Sequence, residues 1–234
     1  MRSLYFSYNT SIDKAYIIRV AGNKISESLS QRCGESCDKV GMKWAYFDAY
    51  SAYVHDDEGI TPPEDHHPFM KMIKLTDHYL TKGEIACCLS HIALWVKCVE
   101  QDRPLVVLEH DAIMLQKYTE HSLYNSIAYL GGVEQVEKGW KVLPTPPHGS
   151  DGANYHFICR AHAYSIDPAV AKNMLAYVLQ YGVTTTPDRM LRADIFPIHQ
   201  MGLFAYDKSH SETTLINRPQ NADRPAMRND DLSL

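Results

Sequence analysis

The sequence predicts an α/β protein in which helices flank a mostly parallel central sheet. Its first 50 residues hold two short apolar segments separated by a helical one, and this β-α-β order is the unit of a parallel sheet. Residues 105–108 are four consecutive apolar, β-prone side chains, the pattern of a strand buried on both faces. Apolar residues recur with a period near 3.6 between residues 85 and 99, which predicts a helix packed against that sheet.

Composition places the chain among ordinary globular proteins. It has 234 residues, 45% hydrophobic and 22% charged, and we expect one domain at residues 1–216 and a polar tail at residues 217–234. A net charge of −5 argues against a nucleic-acid partner. We find no apolar run of about 18 residues and no signal peptide, which predicts a chain without a transmembrane segment. Six cysteines without paired CxxC motifs predict reduced thiols and a cytoplasmic location.

The first β-α-β unit lies in residues 15–49. Residues 15–20 and 44–49 are apolar and β-prone, so each segment predicts a strand. Residues 26–40 between them predict a helix, which Gly41 ends as a C-terminal cap.

The middle of the chain begins with a polar, proline-bearing segment, residues 51–70, which predicts a loop. Its Asp65-His66-His67 run could bind a metal ion or form a solvated turn. Thr81-Lys82-Gly83-Glu84 has the spacing of a capping box, which marks the start of the next helix.

The second half predicts further helices and strands. Residues 116–138 predict one or two helices, with a break at Gly131-Gly132. Asp167 and Pro168 start a helix that ends at Gly182. The other predicted elements are strands at 140–143 and 195–199, a strand or hairpin at 155–166, a loop at 145–152 and a helix start near Pro187-Asp188.

Three polar residues, Glu109-His110-Asp111, directly follow the buried strand of residues 105–108. Open α/β sheets bind ligands at the carboxyl ends of their strands. In an extended backbone, Glu109 and Asp111 would project to the same side. A carboxylate pair on one side favours Mg²⁺ or Mn²⁺, although a solvated acidic turn fits the same residues.

Four segments occur in an order that resembles a known family. They are Tyr16-Ile17-Ile18, Tyr46-Phe47-Asp48-Ala49, residues 83–95 with their Gly-Glu…Leu-Ser-His…Trp pattern, and residues 105–111. This pattern resembles glycosyltransferase family 25, which includes bacterial lipooligosaccharide β-galactosyltransferases and related collagen galactosyltransferases. The likeness covers roughly residues 15–216 and weakens after residue 145.

The resemblance implies a GT-A fold, a UDP-sugar donor (usually UDP-galactose), Mn²⁺ (or Mg²⁺) and inversion at the anomeric carbon. It also implies a glycan acceptor: a lipooligosaccharide, a polysaccharide or a glycoprotein. The family usually has Glu-Asp-Asp where this chain has Glu109-His110-Asp111, so the outer acids are retained. Three functions stay open: an active transferase, an inert relative that binds a nucleotide sugar, and an unrelated metalloenzyme built on His66 and His67.

The same resemblance assigns roles to particular residues. The expected metal ligands are Glu109, Asp111 and His210, with His199 as an alternative to His210. Inversion needs a general base, for which Asp188 is the first candidate and Asp151 the second. The structural alternative for Asp188 is a helix N-cap.

A donor pocket is expected where the predicted strand ends meet the helix after residue 81. A strand-end turn is the structural alternative for Asp48, and Trp95 is equally suited to the core. The expected donor-binding residues are Ile18, Arg19, Val20, Asp48, Gly83, Glu84, His91, Glu109 and His110.

Overall fold

A computed structural model describes residues 8–52, 60–64, 66–75, 80–131, 141–142, 158 and 160–207. Helices and strands alternate along these ranges. The strands are β1 (Ala15–Arg19), β2 (Trp44–Asp48), β3 (Leu105–Leu108), β4 (Ala112–Met114), β5 (Ile127–Gly131), β6 (Lys141–Val142), β7 (Ala163–Ile166) and β8 (Ile198–Asp207). The helices are α1 (Lys24–Lys39), α2 (Lys82–Gln101), α3 (Pro168–Tyr181) and the short α4 (Pro187–Met190), with a 3-10 helix at Pro68–Met72.

All the described strands belong to one sheet, in the order β2-β1-β3-β7-β5-β8-β4, with β6 paired to β8. Strands β1, β2, β3, β5 and β8 run in one direction, so five of the eight described strands are mutually parallel. Strands β4, β6 and β7 run the opposite way. The predicted α/β class with a mostly parallel central sheet is therefore confirmed.

Helices cover both faces of this sheet. Alternate residues of a strand point to opposite faces, and in β3 Leu105 and Val107 pack in one core cluster while Val106 and Leu108 pack in the other. The first cluster holds buried residues of α2 and α3, and the second holds those of α1. Since β3 is covered on both sides, its polar carboxyl end is one of the few places where a ligand can reach it.

Local signals in the sequence place the helix ends. The capping box at the start of α2 is confirmed, with Thr81 and Glu84 bonded to each other's backbone N–H groups. Asp167 caps α3 through the Val170 N–H at 2.9 Å, and Gly182 follows the helix with φ +81°. Gly41 has φ +69° just after α1, as expected of a helix-terminating glycine.

The predicted helices at residues 116–138 are wrong. The described part of this segment holds no helix, and residues 127–131 form β5, buried between β7 and β8. Pairing on both edges decides this conformation, because a short apolar run suits a central strand as well as a helix. Strand β8 also extends well beyond the predicted 195–199, and a 3-10 helix occupies the end of the predicted loop at 51–70.

A search for membrane spans among the described residues found no helix with the length and apolarity needed to cross a membrane. The predicted loop at 145–152 and the polar tail at 217–234 lie outside the described residues.

Candidate functional site

The backbone after β3 forms a tight turn. The Ala112 N–H donates to the Glu109 carbonyl at 3.1 Å, and the Glu109 N–H donates to the His162 carbonyl at 2.9 Å. The expectation of an extended Glu109–Asp111 segment is therefore wrong, and strand alternation does not set the direction of the two carboxylates. Sequence alone could not distinguish these conformations, because the turn is fixed by backbone hydrogen bonds rather than by a glycine or proline.

The Glu109 side chain turns toward α2. Its Oε1 lies 3.2 Å from His91 Nε2 and 4.0 Å from Cys87 Sγ. Burial raises the pKa of this carboxyl, but the His91 hydrogen bond and the electrostatic effect of the neighbouring His91, His110 and His162 rings outweigh it, so the pKa of Glu109 falls below its usual value. Glu109 is thus an ionised carboxylate whose side chain is 27% exposed.

His91 belongs to a buried chain of polar groups. Its Nδ1 lies 2.9 Å from the Tyr164 hydroxyl, which also accepts a hydrogen bond from Trp95 Nε1 at 2.9 Å. Trp95, Tyr164 and His91 are each 0% exposed. Trp95 is therefore a core residue, and the hydrogen-bonded chain links it to Glu109.

His110 faces α1 instead. Its Nδ1 lies 3.4 Å from Ser26 Oγ, which accepts the Val20 N–H at 2.9 Å. Burial lowers the pKa of His110, so its neutral form is favoured. The family's usual middle acid is thus replaced by a neutral ring beside the β1–α1 loop and the N-terminus of α1, which Asn23 caps.

Arg19 and Asp48 lie at the same edge of the sheet, at the carboxyl ends of β1 and β2. Their side chains form an ion pair at 2.6 Å, and the Arg19 guanidinium stacks over the Tyr46 ring at 4.3 Å. Asp48 therefore has a cationic partner. Ile18, another expected donor contact, packs its side chain in the core.

Asp188 lies on α4, close enough to Glu109 for the charge of Glu109 to affect the pKa of Asp188. Burial raises the pKa of Asp188, the Thr186 hydrogen bond opposes this rise, and the negative charge of Glu109 adds to it. Thr186 occupies the N-cap position of α4, so the alternative role of Asp188 as an N-cap is wrong. Its carboxylate instead accepts a hydrogen bond from the Thr186 hydroxyl.

The N-terminus of α2 closes this side of the site. Glu84 is 1% exposed, and its Oε2 accepts hydrogen bonds from the backbone N–H and the hydroxyl of Thr81, so its carboxylate completes the capping box. Gly83 lies in the same first turn. The Cys88 thiol, further along α2, donates to the Thr185 carbonyl at 3.1 Å, which ties the helix to the segment before α4.

Negative charge concentrates around Cys87. Burial raises the pKa of the Cys87 thiol, and the charges of Glu109, Asp188 and Asp111 raise it further. The charges of three carboxylates therefore act on one thiol near the end of β3. Such an excess of carboxylate oxygen fits a divalent cation of the Mg²⁺ or Mn²⁺ type, which prefers oxygen ligands.

A soft-metal grouping occurs within the same cluster. The ligand atoms of Cys87, His91 and Glu109 all lie within 4.8 Å of one another. Two of them, His91 Nε2 and Glu109 Oε1, are already joined by a hydrogen bond. Among the described residues, Asp111 belongs to no group of three potential metal ligands that lie this close together.

Several other predicted residues lie apart from this site. His199 is on β8, three strands from β3, a lateral distance of about 14 Å. His66 lies against the Tyr50 hydroxyl, while His67 caps the 3-10 helix and pairs with Glu100 at 3.1 Å, so both have structural partners. Asp65, Asp151 and His210 lie outside the described residues.

Three residues of the site are not predicted from the sequence: Cys87, Ser26 and Tyr164. Cys87 precedes His91 by four positions on a helix, a spacing that puts both on one face and could have revealed it. Ser26 stands at a helix start, where serine is ordinary. Tyr164 gives no local signal, since a tyrosine in an apolar strand is typical core.

The fold and the site together define an α/β enzyme with a polar site at the carboxyl edge of its sheet. The family model described as glycosyltransferase family 25 (LPS biosynthesis protein) matches residues 16–135, slightly more than half of the chain. The chain belongs to this family and is a glycosyltransferase. Among curated proteins, none matches the chain.

Proposed function

We propose that this glycosyltransferase is metal-dependent and inverting, that it has a GT-A fold, and that it moves galactose from UDP-galactose to a glycan acceptor. The observation that carries the proposal is the concentration of Glu109, Asp111 and Asp188 around Cys87, at the end of β3. This charge lies at the carboxyl edge of the sheet, where open α/β sheets generally bind ligands, and Glu109 and Asp111 fall within the family match.

Glu109 and Asp111 would hold Mn²⁺ (or Mg²⁺), with His210 as a further ligand. Asp207, the last described residue, pairs with Ala112 beside Asp111. His210 follows Asp207 by three residues, a span of at most about 11 Å. The cation would neutralise the charge that develops on the diphosphate as the sugar leaves.

Asp188 would serve as the general base that takes the proton of the acceptor hydroxyl. Burial and the neighbouring charge of Glu109 raise its pKa, which increases its affinity for that proton. Asp151 stays the second candidate for this role.

The nucleotide would lie along the edge formed by the carboxyl ends of β1, β2 and β3. Val20, Asp48 and His110 lie at this edge, and Gly83 and Glu84 start the helix beside it. The family's description points to a lipopolysaccharide-type acceptor. A cytoplasmic location belongs to the proposal, since the five described cysteines are free thiols of the kind that a reducing compartment maintains.

A donor panel tests this function. The purified protein is incubated with UDP-galactose, UDP-glucose and other nucleotide sugars, with Mn²⁺ or with EDTA, and released nucleotide is measured. We expect metal-dependent release that is fastest with UDP-galactose. Binding without turnover would identify an inert relative, and turnover that is unaffected by EDTA would reject the metal.

A further inference from the structure

Trp95, Tyr164, His91 and Glu109 form a continuous chain of hydrogen bonds that ends at the proposed metal ligand. The three links measure 2.9, 2.9 and 3.2 Å. Trp95 and His91 are four residues apart on α2, while Tyr164 lies on β7, which pairs with β3. The hydrogen-bonded chain therefore spans two elements, α2 and β7, before it reaches Glu109.

The chemistry of the two ends fixes the direction of every bond. Indole Nε1–H is only a donor, so Tyr164 Oη accepts from Trp95. An ionised carboxylate is only an acceptor, so His91 Nε2–H donates to Glu109. In a neutral imidazole Nδ1 is then an acceptor, and it receives the Tyr164 hydroxyl proton. Burial raises the pKa of Tyr164, which keeps that proton in place.

The bonds to Glu109 also distinguish its two oxygens. The His91 ring and the Cys87 thiol both approach Oε1. Neither of these two contacts involves Oε2. The side chain is 27% exposed, and Oε2 is the oxygen that these two contacts leave for a ligand.

We propose that Trp95, Tyr164 and His91 are positioning residues that fix Glu109 through Oε1 and present Oε2 to the bound ligand. The ligand would be the divalent cation of the donor complex, so this part of the inference rests on the proposed function. Carboxylate ligands are commonly oriented by hydrogen bonds of this kind, and losing one typically costs about 10–100-fold in metal affinity.

The first test reads the His91 tautomer directly. The imidazole nitrogen chemical shifts of isotope-labelled histidine are recorded for the full chain, and His91 is assigned by its loss in His91→Gln. We expect a neutral ring protonated on Nε2. In Tyr164→Phe the proton should stay on Nε2, because Glu109 still accepts it, while the Nδ1 chemical shift should change because Nδ1 has lost its hydrogen-bond donor. A wild-type ring protonated on Nδ1, or an unchanged Nδ1 shift in Tyr164→Phe, would overturn the proposed hydrogen-bonded chain.

Tyr129→Phe is the matched control. Tyr129 is the register partner of Tyr164 on β5, and it is 6% exposed in the same core cluster. Its substitution also deletes a buried hydroxyl, yet it should leave the His91 nitrogens unchanged. A similar change of the His91 nitrogen shifts in both variants would indicate a general loss of packing and would count against the proposed hydrogen-bonded chain.

The second test measures Mn²⁺ affinity by calorimetry. Tyr164→Phe should weaken binding about 10–100-fold, whereas Tyr129→Phe should not. His91→Gln should retain more affinity than His91→Leu, because an amide N–H can replace the donor to Glu109. Equal affinity in all four variants would reject the positioning role. If the wild-type protein binds no Mn²⁺, the proposed metal dependence is wrong. The tautomer experiment still tests whether Trp95, Tyr164 and His91 position Glu109.

Discussion

The Asp188 carboxylate combines partial burial with a position near Glu109, and its pKa is raised for both reasons. If it is the base, Asp188→Asn should lower kcat about 100–10,000-fold and leave donor affinity nearly unchanged, because the substitution removes proton transfer while keeping the side-chain volume. Turnover kinetics and donor calorimetry measure the two effects. Asp194→Asn is a suitable control, since Asp194 pairs with Arg192 nearby. Near-normal turnover in Asp188→Asn would leave Asp151 as the candidate.

Asp111 is the proposed metal ligand that the sequence singled out most directly. Asp111→Asn should abolish measurable Mn²⁺-dependent donor binding, because an amide oxygen lacks the charge that a hard cation prefers. Calorimetry with UDP in the presence and absence of Mn²⁺ measures this loss. Asp13→Asn, which removes a carboxylate at the opposite end of β1, should bind normally. Retained binding in Asp111→Asn would exclude this residue as a ligand.

Single residues differ in how much the sequence reveals about them. Glu109 could be located because it follows a buried strand, which is a local pattern. The turn at Glu109–Ala112 could not, because it depends on backbone hydrogen bonds to Ala112 and His162. Tyr164 contacts Trp95 and His91, which lie 69 and 73 positions away in the chain, and no local sequence pattern predicts such contacts.

Among the elements, α2 carries the largest share of the site, and its N-terminus depends on a capping box. Thr81→Ala should lower the free energy of unfolding by about 1 kcal/mol, because it removes the acceptor for the Glu84 N–H. Thermal unfolding should show a decrease in Tm of about 2–4 °C. Thr184→Ala, at an exposed position outside the helices, should have no comparable effect. An equal decrease in both variants would show that the cap contributes nothing specific.

Elements with strong end signals were predictable, and those defined by pairing were not. Helices α1, α2 and α3 have capping residues in the sequence, and each occurs within a few residues of its expected range. Strand β5 lacks such signals, and its apolar run fits a helix as well as a strand. Its conformation follows from β7 on one edge and β8 on the other, which only the assembled sheet supplies.

At the scale of the whole molecule, a buried polar cluster joins the loop before β5 to strand β7 and helix α3. His121 lies within 2.8 Å of Ser165 Oγ and 3.0 Å of Ser126 Oγ, and Asp167, the cap of α3, lies 4.0 Å away. Both His121 and Asp167 are 0% exposed. Burial lowers the pKa of His121 to about 4, although the Asp167 charge opposes the shift. His121 is therefore neutral in the folded protein at neutral pH.

This cluster should make stability depend on pH. In the unfolded chain His121 takes up its proton near pH 6.5, whereas in the folded chain it does so near pH 4. Between these values the unfolded state binds more protons, so stability rises with pH across this window and is lost as pH falls through it. The contribution of His121 amounts to about 3 kcal/mol, and below pH 4 the loss stops because both states are protonated.

Urea unfolding at several pH values between about 7 and 4 measures this contribution, with His121→Gln as the test variant. The variant should be less stable than the wild type near neutral pH, because it disturbs hydrogen bonds to two serines. Its stability should nevertheless fall less steeply with acidification, because glutamine does not titrate. Thr184→Ala, at an exposed position without a titratable group, should keep the wild-type slope. If His121→Gln also keeps that slope, the acid sensitivity of the fold arises from other groups, and the buried cluster does not link the three elements in a pH-dependent way.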